Sequence, residues 1–227
     1  MDREALKRQA GEAAAALVRS GMAVGLGTGS TVRYTIEALG RGVAEGGLDI
    51  VGVPTSRASQ ELALRLGIPL STLDSHPRLD LTVDGADEFD PRLRLIKGGG
   101  GALTREKIVA RASRRMVVVA DAAKRVEHLG STFALPVEVL DFGKRPVQQF
   151  LEEMGAVVRL RADATGRPVA TDNGNVILDA RWPRIEDPER LEVRIETYPG
   201  VVSCGLFLGL CHAVYVADKE GVQVVTG

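Results

Sequence analysis

The segment from Asp84 to Lys107 concentrates side chains that can move protons and hold an anion. It contains the motif Asp84-Gly-Ala-Asp87, a lysine at position 97, four consecutive glycines from Gly98 to Gly101, and Glu106. Consecutive glycines cost backbone entropy, so a folded chain tolerates them only where the backbone turns tightly or approaches a ligand closely. The segment therefore predicts an active site for a small anionic substrate.

Asp84 and Asp87 flank Gly85 and Ala86 at the end of an apolar strand, which brings two carboxyls to the same rim. Aspartate and glycine are also ordinary turn residues, so a plain turn is the alternative interpretation. The spacing excludes a calcium loop, which needs acidic ligands at alternate positions and a closing glutamate. These residues alone leave magnesium open.

Lys97 continues the alternation of Leu93 and Leu95, so we expect its ammonium on the same side as those core residues. The alternative is a lysine whose stem covers apolar surface while its charge stays in water. Glu106 lies in the first turns of the next predicted helix, where a glutamate can simply complement the helix dipole. A carboxylate turned toward an apolar wall and a ligand pocket is also a candidate general base.

The segment Gly25-Leu-Gly-Thr-Gly-Ser-Thr31 follows one predicted strand and opens a helix. Its glycines let backbone N–H groups turn inward, Thr28, Ser30 and Thr31 add hydroxyl donors, and the helix N-terminus supplies positive potential. These features predict a phosphate cradle at Thr28, Gly29, Ser30 and Thr31, and a glycine turn with a Ser or Thr N-cap is the alternative. A dinucleotide fingerprint is excluded because Ser30 replaces a required glycine, and a Walker loop is excluded because its Gly-Lys-Ser/Thr is absent.

Composition narrows the class of protein. The 227 residues carry 29 Lys and Arg against 30 Asp and Glu, and only 4% are aromatic, so we expect no nucleic acid partner. The longest mostly apolar run, residues 201–217, is too short and too broken to cross a bilayer, so we expect no membrane partner. Cys204 and Cys211, together with an N-terminus that lacks a signal peptide, predict a cytoplasmic protein with thiols.

An apolar strand, a turn rich in Gly, Ser and Thr, and an amphipathic helix recur along the first half of the chain. This pattern predicts an α/β fold, a Rossmann-like parallel sheet with helices on both faces. The predicted strands lie near Ala23–Leu26, Ile50–Val53, Leu79–Val83, Leu93–Ile96 and Met116–Ala120. Since ligands bind beyond the carboxyl ends of parallel strands, the motifs that follow them should converge on one crevice.

From Ser131 onward the pattern predicts a smaller α+β (ferredoxin-like) domain. Its predicted strands are 133–140, 157–161 and 175–179, and its predicted helices lie at 147–154 and near Pro188. A final strand pair is expected around the turn from Asp218 to Gly221. We expect a catalytic domain of residues 1–130, completed by 205–227, and a small domain of residues 131–204.

The chain resembles ribose-5-phosphate isomerases of the A type over essentially its whole length. The resemblance rests on ordered motifs, namely Gly27-Thr-Gly-Ser-Thr31, Thr55-Ser56 with Ser59, Asp84-Gly-Ala-Asp87-Glu88, Lys97-Gly-Gly-Gly100 with Ala102-Leu-Thr-Arg-Glu-Lys107, and Asp121 to Lys124. One departure is Gly101, where the family leads us to expect alanine or another small residue. The departure concerns the stiffness of this loop and leaves the chemistry unchanged.

The resemblance implies a cofactor-free isomerisation of ribose 5-phosphate and ribulose 5-phosphate through an enediolate, with no metal. It implies Glu106 as the base, Lys97 and the loop N–H groups as oxyanion stabilisers, and Asp84 and Asp87 as hydroxyl ligands that assist ring opening and proton transfer between oxygens. It also implies substrate binding by Thr28 to Thr31 and Lys124, with Lys7 a weaker candidate. The expected substrate-binding set further includes Gly85, Ala86, Gly98, Gly99 and Gly100. We expect a homodimer or homotetramer.

Two other classes of protein share features of this sequence. A non-catalytic sugar-phosphate sensor of related fold would keep the cradle but would need neither Glu106 nor Lys97, and it would usually carry a DNA-binding helical module. An acyl-CoA transferase of similar fold would use a glutamate as a covalent nucleophile on a longer chain. Incubation with ribose 5-phosphate discriminates between these classes and the isomerase.

Overall fold

The computed structural model describes residues 3–227. The chain forms two compact units, the first made of Met1–Ala86, Arg105–Arg125 and Gly209–Gly227, and the second of Asp87–Thr104 and Val126–Leu208. Along the described residues the helices and strands are α1 (Arg3–Ala15), β1 (Ala23–Leu26), α2 (Val32–Ala44), β2 (Val51–Pro54), α3 (Arg57–Arg65), β3 (Leu81–Gly85), β4 (Glu88–Phe89), β5 (Leu95–Ile96), α4 (Leu103–Ala112), β6 (Met116–Asp121), β7 (Leu135–Val139), α5 (Lys144–Glu153), β8 (Val157–Leu160), β9 (Val176–Arg181), α6 (Pro188–Glu196), β10 (Val201–Cys204), β11 (Leu206–Phe207), β12 (Cys211–Asp218) and β13 (Gly221–Thr226).

The first unit is built on a six-stranded sheet in the order β13-β12-β6-β3-β1-β2. The strands β2, β1, β3, β6 and β12 pair in parallel, and β13 pairs with β12 as an antiparallel hairpin. Every residue of β1 and β6 is buried, which matches the apolar runs expected of strands covered on both faces. The predicted Rossmann-like parallel sheet is confirmed.

Helices cover both faces of this sheet, as predicted. On one face the core joins residues of α1, α2 and α3 to the strands, including Ala10, Ile36, Ala63, Leu26 and Val83. On the other face Val109 of α4 packs with Ala23, Val53 and Leu79. The apolar residues of the sheet therefore have a helical layer on each side, which is the arrangement that buries an alternating βα sequence.

The second unit contains a four-stranded antiparallel sheet in the order β10-β7-β9-β8, with α5 and α6 in the connections. When the four strands of this sheet are numbered 1 to 4 along the chain, their order in the sheet is 4-1-3-2. Together with the two helices the order of elements along the chain is βαββαβ, which is the ferredoxin-like arrangement. Its core includes Val137, Val147, Leu178 and Ile195, all of which are fully buried. The predicted small α+β domain is therefore confirmed.

The strand predicted at Leu93–Ile96 is not part of the parallel sheet. It is reduced to β5, which pairs antiparallel with β4 and β11 in a three-stranded sheet within the second unit. Leu93 has a φ of 57°, and its N–H donates to the Asp90 carbonyl at 3.0 Å. Leu93 thus belongs to a tight turn that begins at Asp90, and its left-handed backbone keeps it out of the strand that follows.

The division into units differs from the expected one at three places. Residues 87–104, 126–130 and 205–208 were expected in the catalytic domain and lie in the second unit. The physical reason is strand pairing, because β4, β5 and β11 hydrogen-bond with one another and not with the parallel sheet. Between Arg3 and Gly227, no helix has the length and apolar character needed to cross a membrane.

Candidate active site

The carboxyl ends of four neighbouring parallel strands bring several predicted site residues to one edge of the first unit. In the sheet, β2, β1, β3 and β6 lie side by side in that order. Thr55 follows β2, and the cradle 27–31 follows β1. The 85–86 turn ends β3, and Lys124 comes three residues after β6. Strands in a sheet lie about 4.8 Å apart, so the cradle after β1 and Lys124 after β6 flank the end of β3 on either side. The sheet order thus places these segments together, although about a hundred residues separate them in sequence.

Asp84 organises the cradle from the end of β3. Its Oδ1 accepts hydrogen bonds from the Thr28 N–H at 3.0 Å and from the Gly85 N–H at 2.7 Å, and the residue is fully buried. A Cβ on Gly27 would lie 2.5 Å from the Asp84 Cα, well inside contact distance. Glycine at position 27 is therefore needed for the close approach of β1 to Asp84, a packing reason that adds to the conformational reason expected from the motif.

The Thr28 hydroxyl lies in a cluster of hydroxyl groups. Its Oγ1 is 2.7 Å from Thr55 Oγ1 and 2.8 Å from Ser56 Oγ, and Ser59 Oγ donates to the Gly27 carbonyl at 2.5 Å. Ser56 also caps α3 by accepting from the Ser59 N–H. The cluster therefore fixes the inner side of the cradle, and it explains why Thr55, Ser56 and Ser59 accompany the cradle in the motif set.

The helix α2 begins at Val32, directly after the cradle. Thr31 precedes the helix and makes no side-chain cap hydrogen bond, so the expected alternative of a threonine N-cap does not describe this turn. Gly29 has a φ of 132°, a backbone conformation that side chains rarely adopt. The exposed Gly29 and Ser30 therefore present backbone N–H groups and a hydroxyl at a helix N-terminus, which is the arrangement that favours anions.

A cavity of about 320 Å³ adjoins the cradle and is lined in part by Gly27, Thr28, Gly29 and Ser30. Arg33 and Arg65 also line it, and neither was predicted from the sequence. The hydrogen bond from Arg33 to the Tyr34 hydroxyl, at 2.9 Å, raises the pKa of Arg33 above its ordinary value. The charge of Arg33 is therefore retained at every physiological pH. The signal in the sequence was the position of Arg33 in the first turn of the helix after the cradle.

Glu106 lies in the first turn of α4 and is 3% exposed. The helix ends beside the start of β3, because the Leu79 N–H donates to the Ala112 carbonyl at 2.8 Å. Val109 contacts the middle of β1, since its Cγ1 would lie 2.7 Å from a Cβ on Gly25. Glu106 is one turn closer to the helix N-terminus, about 4.5 Å along the axis. Glu106 therefore lies toward the same carboxyl edge as Asp84.

Lys7 and Lys124, the two candidate lysines of the first unit, differ in their surroundings. Lys7 donates to Glu4 at 2.6 Å, and this hydrogen bond lowers the pKa of the Glu4 carboxyl. Lys124 ends a short 3-10 helix, Ala122–Lys124, directly after β6 and is partly exposed. Asp121 caps that helix and pairs with Arg3 at 3.1 Å. Lys124 is therefore placed by β6 and its cap, whereas Lys7 is held by a neighbour on its own helix.

In the second unit, Asp87 and the glycine loop are hydrogen-bonded to each other. The Gly99 N–H donates to Asp87 Oδ2 at 2.7 Å, and a Cβ on Gly99 would lie 2.6 Å from Asp87 Oδ1. Gly98 and Gly101 have φ values of 107° and 79°. The glycines are therefore required both by backbone conformation and by the approach of Asp87. At position 101, where alanine was expected from the family, the left-handed φ favours glycine.

Lys97 is 2% exposed and lies directly after β5. Its side-chain Nζ lies 5.4 Å from the centre of the Phe207 ring. Its backbone N–H donates to the Gly205 carbonyl at 2.9 Å. The expected alternative of a lysine reaching into water is excluded by this burial. The expected alternation with Leu93 does not exist, because the strand begins only at Leu95.

Two buried glutamates that the sequence analysis did not interpret as structural hold loops of the second unit. Glu88 is fully buried and accepts from the Gly130 N–H, the Phe133 N–H, and both the N–H and the hydroxyl of Thr132. These contacts, over 42 to 45 residues, are those of a structural acceptor and explain Glu88 without a metal. Nothing local in the sequence reveals them.

Glu138, in β7, is the second of these glutamates and is also fully buried. Its Oε2 accepts from the hydroxyl of Thr104, the second residue of α4, at 2.5 Å. Its Oε1 accepts from the side chains of Thr171, Asn173 and Asn175. Glu138 therefore links the first residues of α4, the helix that contains Glu106, with the turn that precedes β9.

A cluster of potential metal ligands lies apart from all predicted site residues. Within the described part of the chain, Glu192, Glu196 and Cys204 bring three ligand atoms within 4.8 Å of one another. Glu196 is exposed and accepts from the Ser203 hydroxyl at 3.2 Å. Acidic groups at a surface commonly cluster without an ion, and this cluster shares no residue with the motifs.

A candidate anion cradle at the edge of an α/β sheet, with the buried Glu106 and Asp84 toward the same edge, is an arrangement that suits an aldose–ketose isomerase of sugar phosphates. The family model "Ribose 5-phosphate isomerase A (phosphoriboisomerase A)" matches residues 51–221. The ribose-5-phosphate isomerase A of Chloroflexus aurantiacus is 50% identical over 224 residues, which cover 98% of this chain and 94% of that protein. The chain belongs to the ribose-5-phosphate isomerase A family, and its activity is the isomerisation of ribose 5-phosphate.

Solved structures agree with this family assignment. Ribose 5-phosphate isomerase A from Methanocaldococcus jannaschii is 42% identical with a TM-score of 0.95, and both chains are covered completely. A D-ribose-5-phosphate isomerase in complex with phospho-erythronic acid is 40% identical with a TM-score of 0.97, again with complete coverage of both chains. The sensor and the acyl-CoA transferase are therefore not supported.

Proposed function

We propose that Glu106 is the general base of the isomerisation. Conversion of ribose 5-phosphate to ribulose 5-phosphate removes a proton from C2, forms an enediolate and returns a proton to C1, so one carboxylate can serve both steps. The family resemblance assigns this role to the residue at position 106. Two observations support it, the burial of Glu106 to 3% exposure and its place in the first turn of α4 near the carboxyl edge of the sheet. General acid–base catalysis of this kind contributes about 10² to 10⁴ in rate.

Lys97 and the N–H groups of the glycine loop stabilise the enediolate oxygen in this proposal. Lys97 is 2% exposed, and a buried cation interacts with developing negative charge more strongly than a solvated one. The loop from Gly98 to Gly100 supplies backbone donors without side chains that would exclude a ligand. This assignment needs no metal ion, because the lysine supplies the positive charge.

Asp84 and Asp87 bind substrate hydroxyls and assist ring opening and proton transfer between O1 and O2. Each is already held by backbone donors on one oxygen, Asp84 by Thr28 and Gly85 and Asp87 by Gly99. Carboxylates oriented in this way keep their remaining lone pairs aimed in a fixed direction, which lowers the cost of ordering a substrate.

The segment Thr28 to Thr31 and Lys124 hold the phosphate in this proposal. The supporting observation is the sheet order, which puts the ends of β1 and β6 on either side of β3. The helix N-terminus at the exposed Ser30 supplies donors and positive potential. Since a relative forms a complex with phospho-erythronic acid, we also propose that this chain binds phosphorylated sugar acids of four carbons.

We further propose that the protein works in a reducing, cytoplasmic compartment as a homodimer or homotetramer. Cys204 and Cys211 are both thiols, which supports the compartment. Phe142 is fully exposed and Leu140, two residues before it, is 49% exposed, which supports an apolar contact between copies. Sedimentation of the purified protein, compared with Phe142→Asp, measures the oligomeric state directly.

The decisive experiment replaces Glu106 by glutamine, which keeps the shape and removes the proton acceptor. We expect turnover to fall by about 10² to 10⁴ while the Michaelis constant changes little. The matched control is Glu61→Gln, an exposed glutamate on α3. Ketose formation and exchange of the C2 proton with solvent deuterium are followed together. Turnover of Glu106→Gln within a factor of ten of the control would refute the assignment.

A further inference from the structure

The glycine loop of the second unit is held by an arginine that no motif pointed to. Arg161 directly follows β8, and its Nη1 donates to the Gly98 carbonyl at 2.7 Å and to the Gly99 carbonyl at 3.2 Å. The rest of its guanidinium pairs with Asp179 of β9, with Nε to Oδ2 at 2.9 Å and Nη2 to Oδ1 at 2.5 Å. The side chains of Arg161 and Asp179 are 15% and 25% exposed.

This fork of hydrogen bonds makes the guanidinium rigid. A bidentate Arg–carboxylate pair fixes the plane of the guanidinium, and the one remaining nitrogen then has a fixed position. The backbone of Arg161 is also fixed, because its N–H donates to the Ile177 carbonyl at 2.8 Å and its carbonyl accepts from the Val169 N–H. Arg161 therefore presents Nη1 to the loop from a rigid sheet.

Fixing a carbonyl also fixes the N–H of the same peptide. In a trans peptide the C=O and N–H point in opposite directions. The Gly98 carbonyl points to Arg161, and the N–H of that same peptide, on Gly99, donates to Asp87 Oδ2 at 2.7 Å. The Gly99 carbonyl also accepts from Arg161, so the Gly100 N–H is directed away from the guanidinium.

The loop supplies one constraint of its own, since the Gly101 N–H donates to the Gly98 carbonyl at 2.9 Å, but it has no side chains that could add another. Residues 98 to 101 carry no side chains, and glycine samples many backbone conformations. A packing side chain is excluded at Gly99, where a Cβ would lie 2.6 Å from Asp87 Oδ1. The charge-assisted hydrogen bonds from Arg161 then reinforce the orientation of the Gly98 carbonyl and add a constraint on the Gly99 carbonyl.

We propose that Arg161 is a positioning residue for the isomerisation: by holding the Gly98 and Gly99 carbonyls, it orients the Gly99 and Gly100 N–H groups and the carboxylate of Asp87. This inference rests on the roles proposed above for Asp87 and the glycine loop. Arg161 acts on the reaction only through these groups. Its loss loosens the two peptides, so the Gly100 N–H offered to the developing oxyanion and the Asp87 carboxylate held by the Gly99 N–H are no longer preorganised.

The test compares Arg161→Met with Arg159→Met, a change to an exposed arginine two residues earlier on β8. For Arg161→Met we expect turnover to fall by about 10- to 100-fold with a Michaelis constant within about threefold, because the loss falls on preorganised donors rather than on the phosphate grip. Affinity for phospho-erythronic acid should fall in parallel with turnover, whereas inhibition by inorganic phosphate should not change. For Arg159→Met we expect all four quantities to equal those of the wild type.

Two further variants separate positioning from folding. Asp179→Asn removes the charge that orients the guanidinium and should reproduce part of the loss, and Arg161→Lys should not rescue turnover because one ammonium lacks the planar fork. Far-UV circular dichroism and thermal unfolding show whether each variant is folded. If folded Arg161→Met or Asp179→Asn turns over at the rate of Arg159→Met, Arg161 does not position the loop. Normal turnover in Asp87→Asn would instead refute the role of Asp87, so the two failures are distinguishable.

Discussion

Replacing Gly27 by alanine is the sharpest test of how the sheet holds the cradle. The backbone at Gly27 is open to alanine, since its φ is not in the left-handed region, so any effect comes from space. The new methyl carbon would lie 2.5 Å from the Asp84 Cα and 2.4 Å from its Oδ1, whereas ordinary Cβ contacts begin at 3.4 Å. Because contacts under 3.0 Å are essentially never seen, β1 and β3 must separate locally by about 0.5 to 0.9 Å to reach a contact of 3.0 to 3.4 Å.

That displacement acts on the site directly, because Asp84 Oδ1 accepts from the Thr28 N–H at 3.0 Å. A shift of this size in a catalytic constellation costs about 10²-fold in rate, and overpacking a buried position costs about 1–3 kcal/mol of stability. We therefore expect Gly27→Ala to lose about 10²-fold in turnover and about 1–3 kcal/mol in the free energy of unfolding.

The matched control is Gly52→Ala in the neighbouring strand β2. A Cβ there would lie 2.6 Å from Leu26 Cδ1, the far end of a flexible side chain that can move, and its three nearest atoms belong to Leu26 and Ile68. We expect Gly52→Ala to lose stability and keep its turnover. Steady-state kinetics with ribose 5-phosphate and urea unfolding of both variants provide the measurement. Wild-type turnover in Gly27→Ala would refute the argument that Asp84 and the cradle are held in register by this contact.

Three further predictions concern groups outside that contact. Glu88→Gln should lower the free energy of unfolding by about 2–3 kcal/mol, because it replaces a buried charged acceptor, and urea unfolding measures the loss; an unchanged midpoint would contradict it. Thr104→Val should remove one donor from Glu138, costing about 1–2 kcal/mol in urea unfolding, with Thr104→Ser as the control that retains stability. Lys124→Met should weaken substrate and inorganic phosphate alike by about tenfold in steady-state kinetics and lower turnover as well; unchanged constants in both Lys124→Met and Ser30→Ala would place the phosphate elsewhere.

Local patterns in the sequence were sufficient for most elements of the first unit. The strand at Ala23–Leu26 was predicted at its observed bounds. The strand predicted at Met116–Ala120 is one residue longer in the structure and ends at Asp121. These strands are buried on both faces, so they appear in the sequence as short continuous apolar runs. The strand predicted at Leu93–Ile96 failed because the turn at Asp90 is stabilised by its own side chain, which accepts from the Arg92 and Arg94 N–H groups.

The chemistry of the site could be predicted from the amino-acid sequence, because residue type and local order select it. A glycine-rich turn before a helix, a pair of aspartates after a strand and a lysine before four glycines are all local arrangements, and each predicted what kind of group it could bind. The ferredoxin-like unit was likewise predicted from the order of its strands and two helices along the chain.

The groups that hold those residues in place became visible only in the folded chain. No pattern in the sequence predicts the order of β1, β3 and β6 in the sheet. Nor does any pattern predict the contact between Gly98 and Arg161, which are 63 positions apart, or that between Thr104 and Glu138, which are 34 positions apart. The physical reason is that a hydrogen bond depends on distance and direction in space, and a chain that folds back brings together partners with no local relation. Arginine and glutamate are most often solvated surface residues, so their buried roles emerged only from their contacts.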